Sequence, residues 1–267
     1  MLEPTADPAQ EAPITPSGAR APHRRVHDLP SGQVVSWWSG DVDPPVVCLH
    51  GAGVSSRELL PLIRELGAPR RTLTFDLPGY GASARAEPPG SLAEFGECVG
   101  DFLVTADLAP AHVLGCSFGC QIAVDLAVRH PELVRSCVLI GPTVDPAARG
   151  FVRQLGRWAR NGRHEPPALS ALVLRDYLDA GPRRLVRAFR TALRDRIEDK
   201  LPHVVAPTLV LRGEHDAIVP QEWAEEATRL LPRGRLAVRS ARGHMVPFSD
   251  PGGVAARVAA HLEEVDR

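Results

Sequence analysis

Short apolar runs alternate with helix-like segments along most of the chain, and this alternation restricts the possible folds more than any other feature. The strand-like runs contain mainly Val, Leu and Ile, and they lie at residues 46–49, 72–75, 112–114, 136–140, 208–211 and 236–238. Apolar residues at helical spacing lie at residues 58–66, 92–108, 121–128, 221–231 and 254–262. Strands that helices cover on both faces are typical of parallel sheets, so the pattern predicts an α/β protein with a mostly parallel, doubly wound sheet of about eight strands.

Two regions depart from this alternation. Residues 25–29 and 34–38 flank a tight turn, which predicts an antiparallel hairpin at one edge of the sheet. Residues 143–201 show no strand pattern, contain many arginines and have too few apolar residues for a core of their own. We therefore expect this stretch to be a helical lid inserted between two core segments, residues 23–142 and 202–267.

The N-terminal stretch and the cysteines suggest where the protein works. Residues 1–22 are rich in Pro and Ala and lack the apolar centre of a signal peptide, so they are expected to form a disordered tail. The five cysteines are an odd number and lie mostly in apolar runs. This usage predicts reduced thiols and a cytoplasmic location.

The charge balance argues against a general attraction to polyanions. Thirty-one basic and 32 acidic residues give a formal net charge of −1, so no global field would recruit nucleic acid or an anionic membrane. We expect neither as a partner, and the oligomeric state is left open. The ten histidines are scattered and no CxxC pair is present, so neither a metal nor another cofactor is expected.

The pentapeptide at residues 115–119, Gly-Cys-Ser-Phe-Gly, stands between a predicted strand and a predicted helix. A serine with glycine two places before and after it can occupy a sharp, strained strand-to-helix turn, because a Cβ at either glycine position would clash. Such a turn lifts the hydroxyl out of the sheet into a cleft. Ser117 is therefore the candidate nucleophile, whereas the neighbouring Cys116 is expected to pack against the strand.

A second flexible turn follows the strand at residues 46–49. In open α/β sheets ligands bind beyond the carboxyl ends of the strands, which is where His50, Gly51 and Ala52 stand. Acyl transfer needs two donors at the developing oxyanion, and the N–H groups of Ala52 and Phe118 would suit this purpose. His50 is expected to brace the backbone by hydrogen bonding rather than to transfer protons.

Two further strand ends carry an acid and a base. Asp216 follows the strand at residues 208–211, and a carboxylate there would hold the Nδ1–H of a histidine. His244 follows the strand at residues 236–238, and an imidazole is the base that a weakly nucleophilic hydroxyl needs. Asp145 follows the strand after the nucleophile helix and is the alternative acid.

In these motifs the chain resembles the α/β-hydrolase fold superfamily from about residue 26 to residue 262. The motifs that carry the resemblance are at residues 50–53, 76–83, 115–119, 213–216 and 243–244. The resemblance implies that Ser117 is the nucleophile, His244 the base and then the acid, and Asp216 its orienting partner. Because the nucleophile is a serine, the aspartate-dependent epoxide hydrolases and haloalkane dehalogenases of this superfamily are disfavoured.

The expected reaction is hydrolysis of an ester, thioester or lactone of a small molecule through an acyl-enzyme intermediate. One alternative is a carbon–carbon bond hydrolase of a vinylogous diketone, for which the arginines at 183–196 would bind a carboxylate; their helical spacing favours a solvated face instead. Another is an acyltransferase or a cyclising release enzyme in a biosynthetic pathway. The non-enzymatic alternative is a ligand receptor on the same fold.

Overall fold

The computed structural model describes residues 21–68, 70–83 and 87–267, and an eight-stranded sheet forms its centre. The strands are β1 (His23–Leu29), β2 (Gly32–Ser39), β3 (Val46–Leu49), β4 (Thr72–Phe75), β5 (Ala111–Cys116), β6 (Val134–Ile140), β7 (Thr208–Gly213) and β8 (Gly234–Arg239). Their order across the sheet is β1-β2-β4-β3-β5-β6-β7-β8. Strand β2 is antiparallel to both of its neighbours and every other pairing is parallel, which confirms the predicted doubly wound architecture.

Helices cover both faces of this sheet. They are α1 (Leu60–Leu66), α2 (Leu92–Thr105), α3 (Phe118–Arg129), α4 (Phe151–Asn161), α5 (Pro167–Arg194), α6 (Ile197–Lys200), α7 (Gln221–Leu230), α8 (Val246–Ser249) and α9 (Pro251–Asp266). Alternate side chains of β3 enter different cores: Val47 and Leu49 pack with α2 and α3, whereas Val46 and Cys48 pack with α1 and α9. Both faces are apolar because both are buried, which explains why the sequence shows unbroken apolar runs.

The insertion, as we call residues 143–201, contains α4, α5 and α6 between β6 and β7. Gly181 and Pro182 predict a break in the helical pattern, but α5 extends from Pro167 to Arg194 across these residues. Gly181 has a φ of 75°, so the break is a local kink between two helical halves. The extent of the insertion as a separate unit stays a prediction.

Other expectations concern the tail and the cysteines. Residues 1–20, nearly all of the predicted tail, lie outside the described residues, and β1 begins at His23. The five cysteines are unpaired and buried. Among the helices that the structure describes, none combines the length and the apolar character needed to cross a bilayer.

Candidate active site

Ser117 lies at the junction of β5 and α3, in a conformation that few residues other than glycine adopt. Its φ is 53° and its ψ is −114°, and its N–H donates to the carbonyl of Ile140 on β6 (2.9 Å). A Cβ on Gly115 would collide with the backbone of Gly119, and one on Gly119 would collide with the Leu49 carbonyl. Because both positions are glycine, the end of β5 can lie close to the start of α3, and the start of α3 can lie close to the end of β3.

His244 and Asp216 form a buried hydrogen-bonded pair. The His244 Nδ1 lies 2.7 Å from the Asp216 Oδ2, and both side chains are almost fully buried. The other oxygen of Asp216, Oδ1, accepts from the N–H groups of Ile218 (2.8 Å) and Val219 (2.9 Å). These two donors fix the carboxylate plane, so the imidazole is held by a preorganised acceptor.

The imidazole lies close to the end of β6, which is also where Ser117 is anchored. A Cβ built on Gly141 would lie 2.6 Å from the His244 Cε1, and Gly141 follows the Ile140 carbonyl to which the Ser117 N–H donates. The His244 Nε2 is buried and has no hydrogen-bond partner among the described residues. The ring nitrogen that Asp216 does not use is therefore free to accept a proton.

The turn after β3 is braced by two side chains. The His50 Nδ1 lies 2.9 Å from the Gly51 carbonyl, and its Nε2 accepts from the Leu77 N–H (3.0 Å). The Gly51 N–H donates to the Glu58 Oε1 (2.7 Å). Within the described residues, the Ala52 N–H donates no hydrogen bond, so it is available to a ligand.

Glu58 is a buried carboxyl group that the sequence does not single out. A Cβ on Gly51 would lie 3.3 Å from the Glu58 Oε1 and 3.6 Å from the Ser117 Cβ, so Glu58 and Ser117 flank the same glycine. Burial raises the pKa of Glu58 to about 8, because desolvation and the nearby Asp176 and Glu165 outweigh the Gly51 N–H and His244. Glu58 is accordingly protonated at neutral pH.

Replacement of Glu58 with glutamine is expected to raise stability at alkaline pH. The ordinary pKa of the carboxyl is 4.5 and its folded value is about 8, so the native state binds more protons than the unfolded state in that interval and loses stability as pH rises through it. Glutamine keeps the acceptor for the Gly51 N–H and cannot ionise. The free energy of unfolding of Glu58→Gln should exceed that of the wild type by roughly 2–5 kcal/mol at pH 9 and match it near pH 5.

Denaturant titrations at the two pH values measure this difference, and Glu263→Gln, at an exposed position on α9, is the matched control. A Glu58→Gln effect of the same size at both pH values would contradict a buried, protonated carboxyl group.

The insertion holds the backbone of the histidine loop. The His244 N–H donates to the Asn161 Oδ1 (3.1 Å), and the Met245 N–H donates to the Glu165 Oε1 (2.9 Å). The Asn161 Nδ2 donates to the same Glu165 oxygen (2.8 Å), which joins the two contacts. Burial of the imidazole opposes protonation, but Asp216 and then Glu165 outweigh it and raise the pKa of His244.

A second part of the insertion lies over the turn after β3. A Cβ on Gly53 would lie 2.5 Å from the Leu185 Cδ2 and 3.4 Å from the Tyr177 Cε1. The buried Asp176 of α5 accepts from the Ser55 hydroxyl (2.7 Å) and pairs with Arg57. The insertion is therefore attached on both sides of the candidate site, at the turn after β3 and at the histidine loop.

The structure does not bring Asp145 to the imidazole. Its Oδ1 accepts from the Ala147 N–H (2.8 Å), and its Oδ2 pairs with Arg157 of α4 (2.6 Å). Asp216 thus occupies the position that the alternative acid would need. The Cys116 Sγ lies 3.8 Å from the Met245 Sδ in the core, and burial raises the pKa of this thiol well above its ordinary value.

Three polar residues at this site escaped the sequence analysis, namely Glu58, Asn161 and Glu165. Asn161 and Glu165 act on backbone N–H groups that are 83 and 80 residues away in sequence, and Glu58 acts on the N–H of Gly51 from seven residues away. No spacing rule reveals such contacts. Glu58 carried a weak signal, since it is a charged residue directly before a run of apolar residues in a predicted helical segment. In the described ranges, no group of three His, Cys, Asp or Glu side chains is arranged to bind a metal ion.

Known proteins are similar to this chain in sequence or in structure. A pimeloyl-[acyl-carrier protein] methyl ester esterase from Nitrosomonas europaea is 27% identical over 234 residues, which cover 77% of this chain and 90% of that protein. The dihydrolipoyllysine-residue acetyltransferase component of an acetoin cleaving system from Pseudomonas putida is 29% identical over 254 residues, which cover 87% of this chain and 68% of that protein. The crystal structure of a carboxylesterase from Bacillus subtilis matches with a TM-score of 0.70 and 23% identity, over 90% of this chain and 91% of that one.

A sequence model of the Alpha/beta hydrolase family matches residues 46–257, which is most of the chain. The match spans the strand-to-helix turn at Ser117, the insertion and the loops that carry Asp216 and His244. The chain therefore belongs to the alpha/beta hydrolase family, and it is a hydrolase.

Proposed function

We propose that the protein hydrolyses an ester, thioester or lactone of a small molecule, with Ser117, His244 and Asp216 as its catalytic triad. The observation that supports this most strongly is the buried imidazole, whose Nδ1 is paired with Asp216 while its Nε2 has no partner among the described residues. Asp216 selects the tautomer that leaves Nε2 free to accept a proton. The strained turn then presents the Ser117 hydroxyl as the proton donor and nucleophile.

In the first half of the reaction, the Ser117 oxygen bonds to the substrate carbonyl carbon while its proton passes to the His244 Nε2. The negative charge that develops on the carbonyl oxygen would be stabilised by the N–H groups of Ala52 and Phe118. Phe118 is the first residue of α3, so its N–H is not used by the helix and lies at the positive end of the helix dipole. Collapse of the tetrahedral intermediate returns the proton to the leaving group and leaves an acyl-enzyme.

In the second half, water replaces the leaving group. His244 accepts a proton from the water, the hydroxide oxygen bonds to the acyl carbon, and the Ser117 oxygen leaves with that proton. The paired Asp216 stabilises the imidazolium that forms in both halves. Nothing in this sequence of steps requires a metal or another cofactor.

The substrate is expected to be a small ester rather than a peptide. Tyr177 and Leu185 of the insertion contact the turn at Gly53, next to the proposed oxyanion donor Ala52, and so restrict the room for an extended chain at this end of the site. Alcohol and thiol leaving groups also need less protonation than an amine does. The name of the methyl ester esterase from Nitrosomonas europaea agrees with ester cleavage.

Acyl transfer is the second candidate, because the same intermediate can react with an alcohol, a thiol or an amine instead of water. The similarity to the acetyltransferase component from Pseudomonas putida supports acyl transfer as a candidate reaction. Product analysis with an added alcohol distinguishes the two: free acid as the main product supports hydrolysis, and transfer product in excess supports an acyltransferase. A vinylogous diketone should be assayed beside the esters to test for carbon–carbon bond cleavage.

A fluorophosphonate probe and a panel of aryl esters of increasing acyl length test the proposed function. The probe should label the folded wild-type protein at Ser117, and hydrolysis should be fastest with one range of acyl lengths. Absence of both labelling and ester turnover in correctly folded protein would contradict the proposal.

The acid limb of the pH–activity profile should report His244. The imidazole must be neutral to accept the serine proton, so kcat/KM should fall as pH drops through its raised pKa, which lies above 6.5. Glu165→Gln keeps an acceptor for the Met245 N–H and removes one of the negative charges that raise this pKa. We expect this variant to move the acid limb to lower pH.

The titratable groups that face the imidazole are Asp216, Glu165 and Glu58, of which Glu58 is protonated in this pH range, and only Glu165 is altered in this experiment. The exposed control Glu263→Gln should reproduce the wild-type profile. An unchanged or upward-shifted acid limb in Glu165→Gln would show that this carboxylate does not act on the base.

A further inference from the structure

Helix α4 is attached to the rest of the molecule by polar side chains. The Gln154 Nε2 donates to the Ala148 carbonyl (2.8 Å), and Arg157 reaches the Ile218 carbonyl (3.2 Å). One turn further on, Asn161 holds the histidine loop. Gln154, Arg157 and Asn161 are spaced three and four residues apart, so they form one face of the helix, and that face points inward.

The apolar face of the same helix points to solvent. The exposed fractions of its large apolar side chains are 63% for Phe151, 80% for Val152, 54% for Leu155 and 49% for Trp158. These positions follow the helical repeat and lie on one side of α4. An ordinary surface helix buries such a face, and no described part of the chain covers this one. Exposed apolar stripes of this kind mark contact surfaces.

Positive charge lies along one margin of this apolar face. Arg153, Arg160 and Arg163 are exposed, and none of them is paired with a carboxylate among the described residues. Over its length the insertion carries thirteen of the 31 basic side chains and only seven of the 32 acidic ones, which leaves the remainder of the chain acidic. The net charge of −1 is therefore the sum of a positively charged insertion and a negatively charged remainder.

The basic surface continues on the second half of α5. A groove of about 270 Å³ is lined by side chains that include Arg183, Arg187, Arg190 and Arg194. Their spacing of four, three and four residues places them on one helix face, and no salt bridge to a described carboxylate neutralises them. The insertion therefore presents both a basic groove and a basic, apolar helix.

We propose that the apolar face of α4, with Arg153, Arg160 and Arg163 beside it, docks onto an anionic lipid surface. Aromatic and aliphatic side chains on one helix face, with arginines at its margin, suit the boundary between acyl chains and headgroups, where the arginines meet lipid phosphates. A second copy that docked face to face through the same helix would bring two positive surfaces together, so charge complementarity disfavours this symmetric dimer. The net charge of the whole chain led us to expect no membrane partner. The proposal differs from that expectation because docking depends on the charge next to the contact surface.

Vesicle co-sedimentation of the full chain tests this docking. The wild type should bind vesicles of phosphatidylglycerol and phosphatidylcholine in equal parts, should bind pure phosphatidylcholine weakly, and should dissociate at high salt. Val152→Glu should abolish most of the binding. Arg160→Gln should weaken it about fivefold, as expected for one basic side chain near an anionic surface. The matched control is Val104→Glu, because Val104 is 64% exposed on α2, outside the insertion.

A fluorescence experiment locates the contact. Quenching of tryptophan emission by brominated lipids should be strong in the wild type, because Trp158 is exposed on α4, and should fall sharply in Trp158→Leu, which keeps the face apolar. Hydrolysis of a water-soluble ester should be unaffected by these variants, so a failure of docking is separable from a failure of the proposed function.

Two results would overturn the docking proposal. One is the absence of binding to anionic vesicles, or equal binding by Val152→Glu and the wild type. The other is a dimer in light scattering that Val152→Glu dissociates, since this would identify a second copy as the occupant of the apolar face.

Discussion

Replacement of Ser117 with alanine is expected to lower kcat by about 10⁴-fold or more, because no other group can form the acyl-enzyme. The substitution removes one hydroxyl from a turn whose shape depends on the neighbouring glycines, so the fold should persist. The nearby Cys116 should not take over, since its thiol is buried and its raised pKa keeps it protonated. Steady-state hydrolysis of an aryl ester measures the effect.

Ser170→Ala is the matched control for this prediction, because Ser170 is an exposed serine on α5. It should keep wild-type activity and wild-type labelling by the fluorophosphonate, whereas Ser117→Ala should lose both. Both variants should melt close to the wild-type temperature. If Ser117→Ala retained near-normal turnover, the role of nucleophile would have to be assigned elsewhere.

Replacement of Asp216 with asparagine is expected to lower kcat by about 10⁴-fold, the size of the loss known for the equivalent change in trypsin-like enzymes. The N–H groups of Ile218 and Val219 would keep the amide oxygen of the new residue facing them. The amide NH₂ would then face the His244 Nδ1 and donate to it. The imidazole proton would have to move to Nε2, where it would block acceptance of the serine proton.

Asp145→Asn provides the comparison, because Asp145 is the other acid that the sequence allows. It caps the Ala147 N–H and pairs with Arg157 rather than with the imidazole. We expect this variant to retain most of its kcat, with kinetics measured on the same ester as for Asp216→Asn. A large loss in Asp145→Asn combined with a small loss in Asp216→Asn would reverse the assignment of the acid.

The strands of the sheet could be predicted because the residue types in each run favour a strand locally and also suit the buried position that the run has in the fold. Residues 46–49 and 72–75 match β3 and β4 to the residue, since a short run of β-branched and aliphatic side chains has few alternatives to a buried strand. Predicted boundaries were less accurate at the nucleophile. β5 continues to Cys116 and α3 begins at Phe118, because Gly115 and Gly119 weaken the local pattern although the turn needs them.

The residues that surround the candidate triad were harder to predict. The sequence places Ser117, Asp216 and His244 after strands, and parallel strands bring such positions to one edge of a sheet. No comparable rule brings Asn161 and Glu165 from the insertion to the loop that carries His244. Their contacts depend on how the insertion packs, and side-chain packing is not encoded by the spacing of residue types.

The amino-acid sequence by itself determined the class of fold, the order of the strands along the chain and the strained turn at Ser117, because hydrophobic periodicity and glycine placement act locally. Only the tertiary structure decided that Asp216 rather than Asp145 meets the imidazole, that Glu58 is buried beside Ser117, and that α4 exposes its apolar face. These features arise from contacts between distant segments. Burial, pKa and surface exposure have values only after those segments have packed.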